Sequence, residues 1–140
     1  MYTMMQVCRE LDMTYQTLKF YCNEGLVPNV KRDHNNRRVF DEKDVKWIKD
    51  LTCLKKCGMS IQEMKKYLEL CLQGEATIVS RKKMLARKQE ELRASIKELE
   101  DSISYIGWKQ NFYDDVLSGK RPYVSNLIRT AEKKPLANEL

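Results

Sequence analysis

Between residues 77 and about 117 the chain contains no proline, and only Gly107 interrupts a run of residues that favour helix. Within that run Ile78, Leu85, Leu92, Ile96, Leu99, Ile103, Ile106, Tyr113 and Leu117 recur at steps of three, four and seven. This is the heptad spacing of a helix–helix seam, with Lys82, Gln89 and Gln110 as polar intrusions. Roughly forty residues at ~1.5 Å each make a rod of ~60 Å. A lone helix of that length has nothing to bury its stripe against, and residues 1–76 are too few to cover it. Self-association is the solution the pattern demands. Spacing alone allows a parallel or an antiparallel pair; the expected homodimer is an antiparallel coiled coil joined through Leu85, Leu92, Ile96, Leu99, Ile103 and Ile106.

Ahead of the rod lie short helices separated by turn signals. Thr3 with Gln6 forms a capping box for a first helix, whose apolar side is read as Met5, Val7, Cys8 and Leu11. Asp12-Met13 is a tight joint, and Thr14 is a good N-cap for a second helix over residues 15–24, ended by Gly25. Two short helices with a three-residue joint form a helix-turn-helix pattern. Leu26-Val27-Pro28 then breaks helix, and residues 29–40 read as two short strands around the polar tip Asp33-His34-Asn35-Asn36. Residues 31–38 hold four cations and one acid, so the hairpin can lie along a phosphate backbone as a wing. Asp41 caps a third helix with an acidic first turn, Glu42 and Asp44, which suits the helix dipole. Its core face is Val45, Ile48, Leu51 and Leu54, with Trp47 beside them, and Gly58 stops it. Ser60 and Glu63 open a fourth helix with apolar positions Ile61, Met64, Leu68 and Leu72, stopped by Gly74. Beyond Gly119 runs a polar tail in which Tyr123, Val124, Leu127 and Ile128 can pack back, while the last ten residues read as disordered. The class is mainly α: a winged helix-turn-helix over 1–75, a long dimerisation helix over 77–118 and a tail over 119–140.

Composition narrows the function classes. No apolar run exceeds three residues and the first residues lack a signal-peptide core, so a membrane span and export are excluded and a cytoplasmic location is expected. Five widely spaced cysteines suit reduced thiols better than a disulfide scaffold. The net charge of +6 favours an anionic partner. That charge does not single out either half: residues 1–76 carry thirteen cations against eleven acids, and residues 77–140 thirteen against nine. The local cluster at 31–38 is what points to nucleic acid.

Taken together, Thr14-Tyr15-Gln16-Thr17-Leu18-Lys19-Phe20-Tyr21, Glu24-Gly25-Leu26-Val27-Pro28, Arg37-Arg38-Val39-Phe40-Asp41, Asp44-Val45 and the stretch from Leu54 to Ile61 resemble the MerR family of bacterial transcription regulators. The likeness covers residues 2–74, and the long helix extends it to about 117. It implies a homodimer on double-stranded, pseudo-palindromic promoter DNA with an overlong spacer, distorted so that RNA polymerase can use it. It also implies that residues 14–24 are the recognition helix, counting Thr14 at its start. Gln16 and Thr17 would face base edges, Lys19 and Tyr21 would reach phosphates or sugars, and Tyr15 would do either. Arg37 and Arg38 would touch the backbone or minor groove, with Lys31 and Arg32 on the other wing strand. Leu18 and Phe20 are expected in the core, Phe20 with no DNA role. Phe20 stands where the family more often has Tyr, and Lys19 where it often has Arg; the lysine keeps charge but loses bidentate geometry.

Absences bear on what such a regulator senses. No cysteine follows Cys71, and the single histidine, His34, sits in the wing, so the family's metal or iron–sulfur site beyond the long helix lacks its ligands. No metal ligands are assigned and no cofactor is expected. Some twenty residues of tail cannot supply a drug-binding domain. Thiol chemistry remains. Cys8 and Cys22 read as small core residues. Cys53 has Lys49 four residues before it and Lys56 three after, with Lys55 nearby; these ammoniums favour a thiolate while the helix C-terminus opposes one. The sequence resembles a MerR subgroup linked to aldehyde, carbonyl and nitrosative stress, which implies Cys53 as sensor ahead of Cys57 and Cys71. An enzyme using Cys53 as nucleophile lacks a nearby histidine base, a CxxC pair and an oxyanion hole. The pattern also admits a regulator without a small effector, or a coiled-coil adaptor whose basic head contacts protein or RNA.

Overall fold

The computed structural model of the chain describes residues 1–129. Its first element is a two-residue strand, β1 (Tyr2–Thr3), which runs straight into helix α1 (Met4–Leu11). Thr3 ends the strand and caps the helix: its Oγ1 accepts from the Gln6 N–H at 3.2 Å, and the Gln6 side chain accepts from the Thr3 N–H at 2.8 Å. Asp12, in the left-handed region (φ 51°), turns the chain toward α2 (Tyr15–Asn23), which Thr14 caps. Gly25 (φ 77°) supplies the positive φ that ends α2, where a side chain would be strained. The chain continues through β2 (Lys31–Arg32) and β3 (Arg38–Phe40). β3 is the centre of a three-stranded antiparallel sheet, with Tyr2 opposite Phe40 on one side and Arg32 opposite Arg38 on the other. The hairpin tip is built by Asp33, whose Oδ1 accepts from the Asn35 and Arg37 N–H groups at 2.9 and 3.0 Å, with Asn36 at φ 60°. These backbone donors hold the Asp33 carboxyl below its ordinary value.

Helices α3 (Glu42–Lys56) and α4 (Ile61–Leu72) begin at the expected caps, Asp41 and the Ser60/Glu63 capping box, and Asp44 turns the Asp41 cap into a second capping box. A 3-10 turn (Gly74–Thr77) then leads into α5 (Ile78–Leu117). One core joins α1 to α4: Val7, Leu18, Leu26, Phe40, Ile48, Leu51, Met59 and Met64 are all fully buried. Trp47 covers its edge, with its indole N–H donating to the Leu26 carbonyl at 2.7 Å and its ring stacked on Tyr67.

Several faces differ from the sequence expectation. In α1 the buried row is Met4, Val7 and Cys8 with Leu11 half-buried, whereas Met5 is exposed; Met4 and Cys8 are four apart and share a face that Met5 misses. Leu72, at the last turn of α4, is exposed because the chain departs at Gly74 before anything covers it. Tyr123, Val124, Leu127 and Ile128 are all exposed, Leu127 most of all. The expectation of disorder in the last ten residues lies outside the described residues.

The chain forms two compact units, Met1–Arg93 and the part from Ala94 onward. The first runs past residue 75 into α5, because Met84 packs against the core and Lys88 pairs with Glu63 at 3.1 Å. No side chain of α5 is fully buried, and the apolar row Leu92, Ile96, Leu99, Ile103 and Ile106 stands open to solvent. No helix among the described residues is long and apolar enough to cross a membrane.

Candidate nucleic-acid interface

Helix α2 buries one face and leaves the other bare. Leu18 and Tyr21, three apart, point into the core, so Tyr15, Gln16, Lys19 and Phe20 face outward. Tyr15, Gln16 and Lys19 have no side-chain partner among the described residues. Thr14 and Thr17 are committed to the cap: Thr14 Oγ1 accepts from the Thr17 N–H at 3.1 Å, and the two hydroxyls bond each other at 2.8 Å. Phe20 is 46% exposed, against the expectation of a core residue. Two positions beyond Leu18 is about 200° around the helix, which the spacing of Leu18 and Tyr21 already signals.

Tyr21 divides its roles. Its ring is buried, and that burial raises its phenol above the ordinary value. Its hydroxyl has no partner among the described residues, yet no buried side-chain polar atom there lacks one, so the oxygen lies at the surface.

In the wing the four cations are not equivalent. Lys31 belongs to a structural cluster: its ammonium lies 3.0 Å from Asp41 Oδ2, 3.0 Å from Asp44 Oδ2 and 2.9 Å from the Asn29 carbonyl. The two carboxylates, Asp41 first, raise the Lys31 ammonium above its ordinary value. The Asp44 N–H, followed by Lys31, holds the Asp41 carboxyl below its own. Lys31 is therefore a brace between β2 and α3. Arg38 donates from Nη2 to Asn23 Oδ1 at 2.7 Å, tying β3 to the C-terminal end of α2. Arg32 Nη1 donates to the Asn36 carbonyl at 3.0 Å, closing the hairpin. Arg37 is exposed at the tip and makes no salt bridge among the described residues. Asp44 and Asn23 were not distinguishable by sequence: Asp44 reads as one more first-turn acid, and its burial depends on strand β2 lying against it.

The cysteines separate by environment. Burial pushes the thiols of Cys8 and Cys22 above their ordinary value, with Arg38 and Arg32 opposing the rise at Cys22. Cys71 is half-buried, 3.9 Å from Arg81 Nη1. The same arginine donates to Thr77 Oγ1 at 3.1 Å and to the Gly74 carbonyl. Cys53 and Cys57 are exposed. The described residues contain no group of three or more His, Cys, Asp or Glu placed to hold a metal.

A capped helix with a free polar face, a wing held to it by Arg38 and a helical pair behind them define a winged helix-turn-helix protein. Residues 2–71 match the MerR HTH family of regulatory proteins, and residues 45–106 match the MerR DNA-binding family. The chain belongs to the MerR family. It is 34% identical, over 80% of its length and 83% of the relative's, to an uncharacterized HTH-type transcriptional regulator of Haemophilus influenzae. It is 37% identical to the HTH-type transcriptional regulator AdhR of Bacillus subtilis over 62% of each chain. Among solved structures it is similar to HiNmlR, a MerR family regulator lacking the sensor domain, bound to promoter DNA. That likeness has a TM-score of 0.68 and 32% identity, covering 84% of this chain and 93% of the other.

Proposed function

We propose that the chain is a homodimeric, sequence-specific regulator of transcription in the cytoplasm. It binds double-stranded promoter DNA through α2 and the wing, and distorts a long spacer for RNA polymerase. The observation that carries this reading is the outward row of α2: Gln16 and Lys19 without intramolecular partners, beside an arginine braced at its base and one free at the wing tip. The early turns of such a helix enter the major groove, where Gln16 reads base edges while Lys19 and the Tyr21 hydroxyl take phosphates. Thr14 and Thr17 contribute through the shape of the helix start, and Arg37 takes the backbone beyond. Six to ten phosphate contacts per dimer make affinity fall ~10³–10⁵-fold between 50 and 200 mM salt.

Cys53 is the candidate through which an electrophile, aldehyde or oxidant changes the promoter complex; its exposure at the end of α3, among Lys49, Lys55 and Lys56, supports that role. Footprinting on the DNA flanking its own gene, with and without an electrophile, tests both parts. Protection of a two-fold-related site is expected, altered by the electrophile in the wild type and unaltered in Cys53→Ala. Equal affinity for random and promoter DNA would favour a coiled-coil adaptor. A footprint indifferent to electrophiles would leave a regulator without a small effector.

A further inference from the structure

Two exposed thiols stand one helical turn apart at the end of α3, Cys53 in its last turn and Cys57 as its C-cap. The Cys57 N–H donates to the Cys53 carbonyl at 3.1 Å, and Cys57 keeps right-handed helical dihedrals (φ −75°, ψ 0°), so the helix is intact through the pair. Residues four apart on a helix share a face, with Cβ atoms ~5–6 Å apart. A disulfide needs ~3.5–4.5 Å between Cβ atoms and is too short for this span. A bridge with one additional atom between the sulfurs fits it. Neither sulfur has a partner among the described residues, whereas Cys8 is buried, Cys22 half-buried and Cys71 held by Arg81. Lys49, Lys55 and Lys56 are exposed around the pair and enter no ion pair among the described residues. They offset the negative charge of a two-thiolate complex.

We propose that Cys53 and Cys57 form a clip that captures a soft, thiophilic metal or metalloid centre between two thiolates. The donor set decides the class. Thiolates select soft ions, while structural zinc and iron–sulfur clusters need four ligands, which this site does not offer. Two thiolates satisfy a monovalent coinage-metal ion, or a trivalent arsenic whose third bond is to its own carbon. For an aryl arsenic oxide, two S–H bonds and the As–O bond break, two As–S bonds form and the oxygen leaves as water, with no change of oxidation state. For silver(I), two S–Ag bonds form and two protons are released. Capture closes the turn that leads through Gly58 (φ 86°) and buried Met59 to the Ser60 cap of α4. The clip goes beyond Cys53 as a single reactive thiol, because it requires both sulfurs.

The test uses the reduced, full-length chain in two arms, phenylarsine oxide and silver(I), read by native intact-mass spectrometry and a count of free thiols. One centre per chain, consuming two thiols, is expected in at least one arm; the arm that binds identifies the source. Cys53→Ser and Cys57→Ser should each bind about 10²-fold more weakly, the loss expected when the second of two linked contacts is removed. Cys71→Ser should bind as the wild type. Both clip residues are exposed, so their serine variants leave the core intact, which circular dichroism checks. Two thiols still consumed in Cys57→Ser, an adduct joining two chains, or no uptake in either arm would overturn the clip. Cys57→Ser should retain promoter binding and single-thiol modification at Cys53, so failure of the clip and failure of the regulatory reading are separately visible.

Discussion

Tyr21 concentrates two duties in one side chain, a ring that fills the core and a hydroxyl that reaches the surface. Tyr21→Phe removes only the second. Its thermal midpoint should match the wild type, while promoter affinity falls by about 1.5–3 kcal/mol, the worth of one hydrogen bond to a charged group such as a phosphate. Tyr21→Ala empties the core position and should cost about 3–5 kcal/mol of stability. The wing cations divide the same way. Arg37→Ala should leave the melting curve unchanged, weaken binding to all sequences alike and reduce the salt slope by about one. Lys31→Ala should instead lower the melting midpoint, because it strips the counter-ion from Asp44, which is 5% exposed. Parallel melting and salt-titration series on the two variants separate a brace from a contact. Nothing in the string Lys31-Arg32 and Arg37-Arg38 distinguishes these roles, since partner choice depends on strands that meet across sequence.

At the scale of elements, the boundaries legible in the chain are those set locally. Thr3/Gln6, Asp41/Asp44 and Ser60/Glu63 each close a bond across three residues, and each opens a helix where the pattern places it. Strand β1 was not legible, because two residues become a strand only by pairing with Val39 and Phe40. The caps also carry a pH dependence. The Asp41 carboxyl is held below its ordinary 3.8 by the Asp44 N–H and then Lys31, and Glu63 below 4.5 by the Ser60 N–H and then Lys88. A carboxylate depressed in the folded state contributes stability that is complete above its unfolded value and is lost as pH falls through the folded one. Stability should therefore decline below about pH 4.5 and continue to fall beneath about pH 3.8. Glu63→Gln, which keeps the capping geometry, should flatten the upper part of that decline. Urea midpoints measured from about pH 6 to about pH 3 would show it; an identical slope in the variant would remove Glu63 from the account.

For the whole molecule, the governing fact is that α5 buries none of its side chains fully, while Leu92, Ile96, Leu99, Ile103 and Ile106 line up along it. Such a row is 40–70% exposed in the single chain, far more than a stable helix of that length tolerates without a partner. The compact unit Met1–Arg93 has its own core, so folding of the winged part and pairing of α5 are separable. Replacing Ile96 and Ile103 together by Glu places two like charges on each chain at the expected seam. The variant should sediment as a monomer at concentrations where the wild type is a dimer, and its Trp47 environment should remain native because Trp47 belongs to the first unit. A monomer engages one half-site instead of two, so it forgoes the ~10²–10⁴-fold gain that linkage confers on paired contacts. Promoter affinity should fall by that factor, with the affinity for an isolated half-site unchanged. A variant that stays dimeric, or that becomes monomeric without losing promoter affinity, would break the link between the row on α5 and the function of the wing.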